Sequence, residues 1–179
     1  MNKTLEMLYD EHSVITNAVG ITDSLNTLRQ QNPSAYKAAV RKVIAFLKGY
    51  ADEYHHYKEE VILFPEMSKK NELFEGGIIK EMTDNHQEFR EMIKLIEASL
   101  NEGEFETVQK NLEKYVNMLL DHIAVENEEV FHAAESLFTE AELENIGFRF
   151  LDIDRELGNE KKESLAEIMN QMKSDMLLL

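Results

Sequence analysis

Apolar residues recur every three to four positions along most of the chain, the spacing that lines one face of an α-helix. The first stripe, Leu5, Leu8, His12, Ile15, Val19 and Leu25, predicts a helix from about Thr4, read as its N-cap, to about Arg29. A second begins after Asn32-Pro33-Ser34 and carries Val40, Ile44, Leu47, Ala51, His55, Glu59, Ile62 and Leu63. Pro65 disfavours helix in the residue before it, so the second helix is expected to end near Phe64. A polar loop with Gly76-Gly77 leads to a third stripe of Ile79, Met82, His86, Phe89, Ile93 and Ile96, which stops near Gly103. The fourth carries Val108, Leu112, Tyr115, Leu119, His122, Glu126, Val130 and Ala133. A shorter fifth helix opens at Thr139, where Thr139 to Glu142 matches a capping box, and presents Leu143, Ile146, Phe150 and Ile153. After Gly158-Asn159 a sixth presents Leu165, Ile168, Met169 and Met172.

Four long helices with short connections predict an all-α fold, an up-down-up-down four-helix bundle, with two additional C-terminal helices. Those two are expected to cap or flank the bundle, or to form a subunit interface in an oligomer. No break in composition marks a second domain. Residues 1–179 therefore read as one domain, with the bundle over about 4–136 and the C-terminal extension over about 139–179.

Composition agrees. Glycine and proline number 7 and 2, too few for the many turns of a β-sandwich. The net charge of -16 argues against nucleic acid or an anionic membrane surface as partner. There is no cysteine, which excludes disulfides, iron–sulfur ligation and thiolate chemistry. Any metal must be held by nitrogen and oxygen. No apolar run approaches the roughly 20 residues of a membrane span, and the N-terminus lacks an apolar signal core. A cytoplasmic location is the expectation.

The polar residues inside the apolar stripes carry the chemistry. Each long helix places one histidine there: His12, His55, His86 and His122. Two helices add a carboxylate four residues later, Glu59 and Glu126, on the same face. A buried polar group without a partner costs roughly 1–3 kcal/mol, and a bare carboxylate costs more. Six such groups aimed at one core need something to neutralise and satisfy them. A pair of metal ions, which bind neutral imidazole and carboxylate oxygen, would do so.

A single His-x-x-x-Glu is weak evidence; the matched set is strong. A competing register exists in Glu53-x-x-His56 and Glu129-x-x-His132, the pattern of ferritin-like di-iron bundles. Geometry disfavours it, because Glu53 lies about 200° around the helix from His55. It would also leave His12 and His86 unexplained. His56 and His132 are then expected at the periphery, or behind the ligands.

These residues resemble the hemerythrin family, in particular its bacterial HHE cation-binding branch. The matches are His12 in DEHSVI, His55 and Glu59 in HHYKEEVILFP, His86 in NHQEFR, and His122 and Glu126 in HIAVENEEVF, spanning roughly Leu5 to Ser136. The resemblance implies a non-haem di-iron centre in which each of two iron ions takes two histidines. Glu59 and Glu126 would bridge the pair together with an oxo or hydroxo group. Oxygen-carrying hemerythrins have a further histidine one turn from the third-helix ligand. Here those positions are Met82 and Arg90, and the fourth-helix carboxylate is Glu at i+4 instead of Asp at i+5. Six ligands imply an open position on both irons.

The expected function is binding or sensing of a small oxidant or diatomic ligand: oxygen, nitric oxide or peroxide. The alternative is a di-iron enzyme for peroxide or nitric oxide detoxification, ferrous oxidation or iron–sulfur cluster repair. Repair proteins of this branch usually carry a cysteine-bearing N-terminal segment, which is missing here. Tyr54, Tyr57 and Tyr115 lie on or near ligand-bearing helices, and Tyr115 reads as a core residue with its hydroxyl at a polar partner or at bound oxygen. Met82 and Phe89 read as an apolar wall. Arg90 reads as a surface ion pair.

Overall fold

The computed structural model describes residues 2–176, and every regular element among them is helical. Met1 and residues 177–179, at the limits of the expected domain and its C-terminal extension, lie outside the described residues. Helix α1 (Lys3–Val19) is capped by Asn2, whose side-chain oxygen accepts from the Thr4 backbone N–H at 2.9 Å. Thr4 is thus not the cap. It is buried, and its hydroxyl donates to the Leu143 carbonyl at 2.7 Å. The expected single first helix divides at Gly20-Ile21, and α2 (Thr22–Gln31) follows. Glycine is a poor helix former, and the Thr22 hydroxyl satisfies the freed Val19 carbonyl at 2.7 Å.

Helix α3 (Pro33–Phe46) starts with Asn32 as N-cap and Pro33 in its first turn. It runs unbroken into a π-helical segment, Leu47–His56, and after Tyr57 and Lys58 into a second, Glu59–Leu63. The expected stop at Phe64 does not occur, because α4 (Phe64–Lys70) continues through Pro65. The π segment shifts the hydrogen-bond register just ahead of the proline. Pro65 therefore falls in the first turn of a new α segment, where a missing N–H costs little.

The Gly76-Gly77 connection contains a single turn, α5 (Leu73–Gly76). Helix α6 (Ile78–Glu102) ends at Gly103, whose φ of 81° suits a residue without a Cβ. The fourth long stretch is α7 (Phe105–Val125), a π-helical segment Glu126–Val130 and α8 (Phe131–Leu137). Helix α9 (Glu140–Leu157) opens with the Thr139–Glu142 capping box, and α10 (Asn159–Met176) follows Gly158. On α10, Met169 and Met172 are buried as expected, but Ile168 is 41% exposed. Among the described residues no helix is long and apolar enough to cross a membrane.

The apolar core falls into two clusters, and a polar layer divides them. One cluster holds Leu5, Leu8, Ile62, Leu63, Ile79, Met82 and Val130. The other holds Ile15, Val19, Tyr50, Ala51, Phe89, Ile93 and Leu119. Each long stretch crosses from one cluster to the other at its histidine. The order of crossing alternates along the chain, because the first cluster comes first on α1 and α6 and last on the other two stretches. The C-terminal helices complete both clusters, α9 through Leu143, Ile146, Phe150 and Ile153, and α10 through Met169 and Met172. Close approach of α9 to α1 depends on Gly147, where a Cβ would stand 2.5 Å from Thr4 Oγ1.

Phe150 is fully buried. Phe150→Ala is expected to cost about 3–5 kcal/mol, read as a lowered urea midpoint in a single transition. A transition that splits in two would show that α9 is not part of the same cooperative core.

Candidate metal centre

The polar layer brings the six residues singled out in the sequence to one place. His12, His55, Glu59 and Glu126 are buried, and their ligand-type atoms lie within 4.8 Å of one another. His86 and His122 form a second buried group of the same compactness, together with His56. The groups adjoin: His86 Nε2 is 3.7 Å from Glu59 Oε2 and 3.6 Å from Glu126 Oε1. His122 Nε2 is 3.2 Å from Glu126 Oε2, and His12 Nε2 is 3.2 Å from the same oxygen. Both carboxylates thus stand between the two histidine groups.

The histidines are held from behind. His55 Nδ1 donates to Glu11 Oε2 at 3.0 Å, and His86 Nδ1 donates to Glu60 Oε1 at 2.8 Å. His12 Nδ1 donates to Asn127 Oδ1 at 2.8 Å. In each case the outer nitrogen is occupied and Nε2 is turned inward, the arrangement by which outer partners orient metal-binding imidazoles. Glu11, Glu60 and Asn127 are each the sequence neighbour of a stripe residue: His12, Glu59 and Glu126. A neighbour stands about 100° around an α-helix and so at the edge of the stripe, which is the signal that could have found them.

His56 is not at the periphery, one of its two expected places. It is 2% exposed, and its ring stacks on His86 at 3.8 Å between centroids. Its Nδ1 is 3.4 Å from Asp52 Oδ1. In an α-helix, His55 and His56 would point about 100° apart. In the π segment Leu47–His56 the i→i+5 bonds put more residues into each turn, so neighbours diverge less and both enter the core. The rest of the competing register stays outside: Glu53, Glu129 and His132 are exposed. Glu53 pairs with Lys161, and His132 Nδ1 donates to the Asn127 carbonyl.

Arg90 is not an ordinary surface ion pair. It joins Asp52 and Glu60, at 2.7 and 2.8 Å, and so ties together the carboxylates behind His56 and His86. Phe89 packs edge-on against His122 at 5.2 Å, and Met82 is fully buried, forming the expected apolar wall. Tyr115 is buried with its ring on Phe89 at 5.2 Å. With Asp52, His56 and Arg90 it lines a cavity of about 310 Å³. A second cavity, about 320 Å³, reaches His12 between Tyr9 and Asn127. Tyr54 is buried and its hydroxyl donates to the Gly158 carbonyl at 2.8 Å, while Tyr57 is exposed.

Most inward atoms of the layer are left without hydrogen-bond partners in the protein. No hydrogen bond reaches His12 Nε2, His55 Nε2, or any carboxylate oxygen of Glu59 and Glu126, although all are shielded from water. Burial pushes the Glu59 carboxyl well above the usual range, and the Glu126 charge adds to that. Burial acts on Glu126 too, but the charge of His122 and the contacts of His12 and His86 outweigh it and hold that carboxyl well below its usual range. Burial lowers His55 to about 4, and lowers His56 well below its ordinary value with His86 next in effect. Both imidazoles are therefore neutral near pH 7, the form that binds metals. The donor set, all histidine nitrogen and carboxylate oxygen with inward lone pairs unspent, fits metal-cation binding.

A family model described as the hemerythrin HHE cation binding domain matches residues 3–134. Comparison with curated proteins and with solved structures finds no match.

A pH test follows from Glu59. Its folded pKa is raised, so its contribution to stability is complete below the unfolded value of 4.5 and is lost as pH rises through the folded value. In chelator-treated protein, Glu59→Gln should therefore raise the urea midpoint, by a margin that widens as pH rises above the unfolded value of 4.5. An equal or lower midpoint above that value would contradict the charge conflict described.

Proposed function

The chain belongs to the hemerythrin HHE cation-binding domain family, and from that premise we propose that it is a di-iron protein which binds or senses a small oxidant or diatomic ligand. The observation that carries this reading is the set of unpaired, inward-facing Nε2 and carboxylate atoms between the two apolar clusters. The family and the buried histidine–glutamate groups imply cation binding, with iron as the metal the family name brings. We read residues 1–179 as a single hemerythrin-like domain built on an up-down-up-down four-helix bundle, with α9 and α10 as its extension. The alternating order in which the four stretches cross the polar layer supports that topology.

In this reading His12 and His55 would serve one iron and His86 and His122 the other, and Glu59 and Glu126 would be shared between them, with an oxo or hydroxo group. His56 joins the His86 and His122 group and could offer that iron a third imidazole. This narrows the expectation of open positions on both irons. His56, His86 and His122 would hold one iron together with the two carboxylates, and His12 and His55 would hold the other with one protein donor fewer, which would leave room for a small ligand on that side. The cavity beside His12 gives a small molecule a route to that side. When bound, a di-iron pair supplies two reducing equivalents and a site for an oxygen- or nitrogen-bearing ligand. The protein's part is to hold neutral imidazoles in position, to neutralise charge through the two carboxylates, and to restrict water through Met82, Phe89 and Phe131.

The test is iron content and reactivity. Protein loaded with ferrous iron under nitrogen should hold two irons per chain. Addition of oxygen, nitric oxide or peroxide should then change the visible spectrum in a way that reverses on ligand removal. Fewer than two irons in replete protein would overturn the di-iron reading, and continuous consumption of oxidant would identify an enzyme instead. Glu59→Ala and Glu126→Ala should each release one or both irons, measured by metal analysis. His56→Ala should make one of the two irons easier to remove in a chelator competition, whereas an unchanged chelation curve would return His56 to a supporting role.

A further inference from the structure

The C-terminal helices, α9 and α10, lie beyond the matched residues 3–134, yet they reach the metal centre through charge. Glu11 holds His55 Nδ1 with one carboxylate oxygen, Oε2, at 3.0 Å. Its other oxygen, Oε1, is bound by two lysines. One is Lys58, which is completely buried one residue before Glu59. The other is Lys162 of α10, at 2.5 Å. Both lysines also bind Asp154 of α9, Lys58 at 2.7 Å through Oδ1 and Lys162 at 2.8 Å through Oδ2. Two ammonium groups and two carboxylates therefore alternate in a closed, charge-balanced ring, and one corner of that ring is the carboxylate behind His55.

Such a ring costs desolvation for every member and stabilises the fold only because all four charges are present. Its placement gives it a second consequence. A carboxylate on the outer nitrogen of a metal-bound imidazole makes that imidazole a stronger donor to the metal. The strength of the effect depends on how much negative charge the carboxylate retains, and in a water-poor interior nearby charges act at close to full strength. Glu11 accepts from His55 through Oε2 while Oε1 faces the ammonium groups of Lys58 and Lys162, so the imidazole and the two lysines share one carboxylate. Part of the Glu11 charge is thus drawn away from His55 toward the lysines.

We propose that α9 and α10 form an outer electrostatic layer of the metal centre, in which Asp154 and Lys162, with Lys58, set the charge that Glu11 presents to His55 and so tune the reduction potential of the iron beside it. The inference rests on the reading of His55 as an iron ligand. Lys162 and Asp154 are positioning residues in it, since neither touches the iron. Removing the Lys162 charge leaves Glu11 more negative, strengthens donation by His55 and favours ferric iron. Removing the Asp154 charge frees both lysines for Glu11 and does the opposite.

The experiment is a redox titration of iron-loaded full-length protein, after iron per chain has been measured for each variant. Lys162→Met should shift the midpoint potential downward and Asp154→Asn should shift it upward, both with two irons retained. Lys162→Arg should restore the parent value. Lys161→Met, which removes an exposed neighbour paired with Glu53, should leave it unchanged. Potentials that stay fixed, or that move in the same direction in Lys162→Met and Asp154→Asn with iron content intact, would overturn the coupling while leaving the ligand reading standing. If Lys162→Met loses its fold or its iron, the upward shift in Asp154→Asn decides the matter alone. Fewer than two irons in the parent protein would overturn the ligand reading itself, and this inference with it.

Discussion

Seven polar side chains, five histidines and two glutamates, are buried together where the two apolar clusters meet, and most of their inward atoms have no partner in the protein. Without a cation each such atom would carry a desolvation cost of order 1–3 kcal/mol, so the layer calls for one. Everything around it serves to keep it assembled. The apolar clusters on either side clamp the four helices that cross the layer. Glu11, Glu60 and Asn127 fix the imidazoles from behind, and Arg90 joins the carboxylates behind two of them. Stability is spent at the centre and recovered on both flanks, the usual relation between a binding site and its scaffold.

Much of this was readable from the chain alone. Helical periodicity located the four long stretches, and the capping box at Thr139 and the left-handed Gly103 stand where the sequence placed helix ends. His12, His55, Glu59, His86, His122 and Glu126 were visible because polar residues inside an apolar stripe need a partner. Two of the inferences that failed had assumed uniform α geometry. The stop before Pro65 and the peripheral reading of His56 both follow from an α-helical turn, and both give way where the chain adopts i→i+5 bonding. The signal was slight: the stripe Leu47, Ala51, His55, Glu59, Leu63 steps by four throughout, which a reading at 3.6 residues per turn passes over.

A different limit applied to the charged residues. Lys58, Glu11 and Asp154 lie far apart in sequence and look like ordinary members of an acidic, lysine-rich surface. Only the packing of α9 and α10 against α1 and the second long stretch turns them into a buried ring. Arg90 was read as a surface pair for the same reason: its two partners, Asp52 and Glu60, flank His55, His56 and Glu59 on another helix. Sequence identifies the residues that must meet a cation because their chemistry is unusual in a core. It does not identify the residues that hold them, because charged side chains at helix edges are common.

The π-helical segment at Leu47–His56 bears on how such a centre can diversify. A turn closed by i→i+5 bonds accommodates one residue more than a turn closed by i→i+4 bonds. Inserting a single residue within a ligand helix can therefore swing a neighbouring side chain onto the inner face while the helix ends, loops and flanking cores keep their places. The number of imidazoles around a metal then changes by one without a new helix, a longer loop or an altered topology. In a bundle of this kind, coordination number is a local property of helical winding, adjustable by insertion or deletion as readily as by substitution.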